Sequence, residues 1–241
     1  MTDWSARLQR LLGPALLDQV PRDHTEPDET LRRRRIVVGV TLVVGATVLG
    51  FSLSVRPGDS AFYWWTGALA ATWALGGVIS GPLHLGRIRF GDELRRPIIT
   101  PVLLGLAAAA VFVVGALIVR EIGPLRSLTD DVLDHARQGS LALILIVTVL
   151  NGVAEEIFFR GALFAAVGRR RPVLVSTVIY TLTTIATANP MLVFAAAALG
   201  TLLGLQRRAS GGILAPMLTH VTWSSAMLFV LPPLFGGHVT L

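Results

Sequence analysis

The stretch NGVAEEIFFRGALF, Asn151 to Phe164, decides how this chain is read. Two adjacent carboxylates, Glu155 and Glu156, and one arginine, Arg160, interrupt an apolar run that extends from Leu141 to Ala166. A charge at membrane depth costs about 2.5–3.5 kcal/mol on insertion scales. Either this run lies outside a membrane, or its charges have a function inside one.

Composition favours the membrane. The chain has 241 residues, of which 53% are hydrophobic and 15% charged, and its mean hydropathy is +0.66. Soluble domains carry about 25% charged residues. The length fits one domain. The absence of cysteine excludes disulfides, thiol catalysis and cysteine-ligated metals. All 21 basic residues are arginine and the net charge is +6. In a membrane protein such an excess reports topology, so no nucleic-acid partner is expected.

Working outward from Asn151–Phe164, seven apolar runs read as transmembrane helices: Ile36–Val55, Ala61–Pro82, Ile98–Val119, Leu141–Ala166, Val173–Ala188, Met191–Leu205 and Gly212–Leu231. Asn189-Pro190 divides the fifth from the sixth, because proline disfavours helix at the residue before it. Arginines alternate between the connections. Sixteen lie in the N-terminal segment, after the second run, after the fourth and after the sixth; four lie in the other connections, and Arg160 is within a helix. The expected fold is therefore an all-α bundle of about seven transmembrane helices in the cell (plasma) membrane, N-terminus in and C-terminus out. Residues 1–35 form a cytoplasmic segment, 36–140 the N-terminal helices, 141–235 the core and 236–241 an external tail. No secretory signal is expected. Trp4, Leu8, Leu11 and Leu12 share one helical face and suggest a short surface helix, followed by a polar linker. No internal repeat is visible, which weakens an inverted-repeat transporter reading.

The charges of the fourth helix then need partners. Glu156 and Arg160 have the i, i+4 spacing of a helical ion pair. Glu155 points about 100° away, given 3.6 residues per turn, and lies about 20 Å from the inner arginines. Asn151 shares its face. An unpaired membrane carboxylate marks a functional cavity by default. At comparable depth lie His220, about 14 Å from the inner end of the last helix, and Thr184, the last of a stripe Ser176, Tyr180, Thr184. Ser224 follows His220 by one turn. Glu156 and Arg160 read as supporting residues, and Glu155 is left to meet His220.

Glu155-Glu156-x-x-x-Arg160-Gly161 resembles the first motif of the CAAX-type intramembrane protease and bacteriocin-processing superfamily. His220-x-x-x-Ser224, after GGILAPMLTH, is similar to its third motif, His-x-x-x-Asn or another small residue. The second motif, Phe-x-x-x-His, departs: this chain has Tyr180-x-x-x-Thr184. The resemblance covers Leu141 to about Val230. It implies an intramembrane endopeptidase in which Glu155 activates a water. Thr184 stands where a histidine would share that water, and His220 and Ser224 stabilise the oxyanion. Glu156 and Arg160 shape the site, and Asn151 and Tyr180 belong to its polar surroundings. The substrate would be a peptide or a membrane-anchored protein, met in lipid through a cavity facing the cytoplasm. Threonine does not titrate near neutral pH, so catalysis is expected to be impaired. No cofactor is expected: a zinc site takes about three protein ligands, usually His-rich. Two rivals stay open, a non-catalytic relative that binds a peptide or lipidated tail, and a small proton-coupled transporter using Glu155 as a relay.

Overall fold

The computed structural model describes residues 12–21 and 26–236. All seven apolar runs are helical. In chain order the helices are α1 (Asp28–Ser54), α2 (Ala61–Ser80), α3 (Ile99–Val119), α4 (Gly123–Arg137), α5 (Leu141–Val167), α6 (Pro172–Thr184), α7 (Pro190–Ser210) and α8 (Leu214–Leu234). A one-turn 3₁₀ segment, Ile185–Thr187, extends α6. Five helices, α1, α3, α5, α7 and α8, are long and apolar enough to cross a membrane, and α6 with its extension is a shorter apolar helix. Of the expected surface helix, Trp4, Leu8 and Leu11 lie outside the described residues; Leu12 precedes a π-helical turn, Gly13–Leu17.

Local sequence sets several boundaries. Asn189 caps α7, its side-chain oxygen accepting from Met191 N at 2.9 Å and Leu192 N at 3.3 Å, with Pro190 at the first helical position. Gly168 and Gly211 end α5 and α7 at φ values of 77° and 71°, conformations that glycine adopts without a Cβ penalty.

Two connections hold more structure than expected. After α2, β1 (Ile88–Phe90) pairs antiparallel with β2 (Glu93–Arg95), with Arg89 opposite Leu94. The connection Arg120–Ser140, read as a loop, contains α4. This amphipathic helix packs against α3, α7 and α8 at the arginine-poor end. Asn189 donates to Leu128 O at 2.7 Å, His135 Nε2 meets Val55 O at 3.0 Å, and Arg137 pairs with Asp130 at 2.9 Å and Asp134 at 3.0 Å. Arg126 and Asp131 are exposed while Leu133 and Ala136 are buried, so no long apolar run announces it.

Small residues set the bundle's packing. Trp73 of α2 is 1% exposed and packs on Phe158 and Phe159 of α5, ring centroids 4.8 and 5.0 Å away. A Cβ at Gly45 of α1 would lie 2.1 Å from the Trp73 ring, and one at Gly76 would lie 2.3 Å from Thr41. Helix approach in a membrane rests on such small residues. At the arginine-rich end, Arg34 is wholly buried, bonded to Glu26, Ser80 Oγ at 3.1 Å and Pro82 O at 3.1 Å. Arg35 caps the end of α5 through Ala166 O at 3.0 Å. These two arginines lock helices together as well as marking an end of the molecule.

Candidate active site

The site is built on α5, where the helix changes register. It is α-helical to Glu155, π-helical from Glu156 to Leu163, then α-helical to Val167. Such π segments inside α-helices are frequent at functional sites. The wider turn also leaves Arg160 O to accept a bond from Arg207 Nε of α7 at 2.6 Å.

The two carboxylates have separate environments. Glu156 is fully buried, and one of its oxygens accepts from Arg160 at 3.0 Å and from His220 Nδ1 at 2.8 Å. Its other oxygen is buried without a hydrogen-bond partner. Arg160 also reaches Gly200 O at 3.4 Å and lies over the Tyr180 ring at 4.7 Å. Glu155 is half-buried and accepts a 2.7 Å bond from the Tyr180 hydroxyl. The Glu156–Arg160 pair is as expected from spacing. The partner of His220 is not: His220 meets Glu156 rather than Glu155. Its Nδ1–H donates to the carboxylate, which leaves Nε2 for other partners.

Glu155, Tyr180, Thr184 and His220 nonetheless line one cavity of about 200 Å³, walled by Trp73, Phe159 and Trp223. A water in bulk occupies about 30 Å³, so the cavity has room for several waters or a side chain. It extends past Leu49 and Leu53 at the end of α1, Thr187 after α6 and Leu192 at the start of α7. It therefore runs from the site toward the arginine-poor end, away from the arginine-rich side expected to be cytoplasmic. On that other side lie the Glu156–Arg160–His220 cluster and Arg207, which stacks over Phe164 at 5.0 Å.

Two expected members stand apart from the cavity. The Ser224 hydroxyl donates to His220 O at 2.9 Å and faces α5 near Gly152. Asn151 donates to Thr66 O at 3.2 Å and Val147 O at 2.9 Å, tying α5 to α2. Thr184 lines the cavity, but its hydroxyl hydrogen is spent on Tyr180 O at 2.9 Å, so it offers the cavity only acceptor capacity. Trp223 was not foreseen. It follows His220 by three residues on the same helical face, which is the signal that could have found it, and its indole N–H is buried without a partner. Among the described residues no three His, Asp or Glu side chains form a group able to hold a metal ion.

Residues 137–226 match the family Type II CAAX prenyl endopeptidase Rce1-like. The chain carries a CAAX-protease-like domain. No curated protein and no solved structure matches the chain. The CAAX-protease-like domain begins at the end of α4, ends within α8 and contains all eight residues singled out from sequence. Within it the first-motif glutamates are divided: Glu156 is held by an arginine and a histidine, and Glu155 faces the cavity.

Proposed function

We propose that this protein is an intramembrane endopeptidase of the CAAX type, slowed by having Thr184 in place of the second-motif histidine. The observation that carries the reading is the shared cavity of Glu155 and His220, with Glu156 and Arg160 committed behind it. A water in the cavity gives its proton to Glu155, and the hydroxide attacks a peptide carbonyl. His220, as imidazolium, donates from Nε2 to the developing oxyanion while Glu156 balances the ring at Nδ1, the orienting role a buried carboxylate plays for a catalytic histidine. Glu155 then returns the proton to the leaving amine. Glu156, Arg160 and Asn151 hold the helices, and this reading gives Ser224 no oxyanion role, since its hydroxyl donates to His220 O.

A non-catalytic relative that binds a peptide or lipidated tail is favoured by one feature, the Tyr180 hydroxyl seated on a Glu155 oxygen at 2.7 Å. Both readings carry the same orientation, arginine-rich end toward the cytoplasm of a cell membrane. Purified protein in lipid, incubated with membrane-proximal peptides, separates them. Cleavage lost in Glu155→Gln supports the enzyme; peptide binding without cleavage, in wild type and in Thr184→His, supports the binder.

A further inference from the structure

A second cavity, of about 1100 Å³, opens at the arginine-rich end between α1, α5, α6 and α7, and it includes neither Glu155 nor His220. Its polar rim holds Arg35, Arg169, Arg170, Arg171, Arg207 and Arg208, against one carboxylate among the described residues, Glu26, which is bound to Arg34. Its floor is apolar, formed by Leu31, Leu83, Phe164, Val167 and Pro172.

Two observations separate this rim from a general scatter of surface arginines. Arg171 is held at φ 49°, one of two non-glycine residues with positive φ among the described residues. A left-handed conformation at a bulky residue is strained, and such strain persists where surrounding structure or function requires it. Arg171 also stands at the start of α6, a helix with no side-chain cap and no acidic residue in its first turn. The positive end of the α6 dipole is therefore added to the arginine charge of this rim.

We propose that this cavity is a binding site for the phosphate headgroup of an anionic phospholipid, with the first part of its acyl chains on the Leu31–Leu83–Phe164 floor. The chemistry calls for a ligand that is anionic at one end and apolar at the other. Arginine forks match phosphate oxygens, and basic pockets at the cytoplasmic ends of transmembrane helices suit anionic headgroups. Arg207 joins the cavity to α5, since its Nε holds Arg160 O.

The test uses full-length protein in phosphatidylcholine nanodiscs containing a minority of phosphatidylglycerol, with retained lipid measured by native mass spectrometry. The variant R169Q/R170Q/R171Q is expected to lose phosphatidylglycerol enrichment by about fivefold per arginine removed. The exposed pair R87Q/R89Q, outside the cavity at the same end, is expected to leave enrichment unchanged. R170Q alone, at an exposed position, gives the same reading should the triple variant fold poorly, and R170K is expected to restore enrichment. Equal losses in the two sets would reduce the effect to surface charge and overturn the proposal, as would enrichment unchanged in the triple variant. Displacement of the lipid by millimolar inorganic phosphate would mark a soluble anion as the ligand and overturn the lipid assignment. None of these readouts depends on peptide cleavage.

Discussion

Glu155 and Glu156 are neighbours in the chain and opposites in environment. Glu156 shares one oxygen between Arg160 and His220 in a fully buried cluster. Removing one member of a buried ion pair costs about 3–5 kcal/mol, because the other charge is left unpaired. Glu156→Gln is therefore expected to destabilise the protein by that amount in chemical denaturation in detergent. Glu155→Gln keeps an acceptor for the Tyr180 hydroxyl and is expected to cost under about 1.5 kcal/mol; equal losses would contradict the division of roles. The i, i+4 spacing of Glu156 and Arg160 was enough to read their pairing from sequence. The partner of His220 was not legible, since depth arithmetic gives a level along the axis but not a direction around it. The phase argument also assumed an α-helix through a segment that turns π-helical at Glu156. The local bonds of Ser224 and Thr184 were not legible for another reason. A hydroxyl on an apolar helix commonly bonds the carbonyl one turn earlier, as both do here, and sequence spacing does not reveal it. Tyr180→Phe, which gives the residue of the family motif, removes a hydrogen bond to a charged group. It is expected to cost about 1.5–3 kcal/mol and to free a Glu155 oxygen, so it should lower stability without lowering cleavage.

At the scale of elements, α1 and α2 approach through glycines. A Cβ at Gly45 would meet the Trp73 ring at 2.1 Å, whereas one at Gly39, on the same helix, would meet nothing within 4 Å. Overpacking of this kind costs about 1–3 kcal/mol. Gly45→Ala is expected to lower the unfolding temperature and Gly39→Ala to leave it unchanged or raise it slightly; a neutral Gly45→Ala would mean that α1 and α2 are not packed as described. The apolar runs were legible as helices because their side chains have little affinity for water, although only five of these helices are long and apolar enough to cross a membrane. α4 was not, because half of its surface is polar and its acidic residues and arginines read as a solvated connection. Its buried face, with Leu133 and Ala136, becomes visible only once α3, α7 and α8 are assembled beneath it.

At the scale of the whole molecule, the bundle has an arginine-rich end, with the β1–β2 hairpin and the larger cavity, and an arginine-poor end covered by α4. The chain has no cysteine, so single cysteines report sidedness directly. Asp92→Cys, in the hairpin turn, is expected to react with an impermeant maleimide only after the membrane is opened, and Ser127→Cys, on α4, in intact cells. Labelling of both from one side would contradict the topology. The central proposal concerns the site between those ends: that Glu155 acts as a general base without a second-motif histidine beside it. The most direct measurement is the peptide-cleavage rate of wild type, Thr184→His and Thr184→His/Glu155→Gln, each reconstituted in lipid. General acid–base assistance is worth about 10²–10⁴ in rate. Thr184→His is expected to exceed wild type by a factor in that range, with the gain abolished by Glu155→Gln; cleavage that persists without Glu155 would contradict the claim.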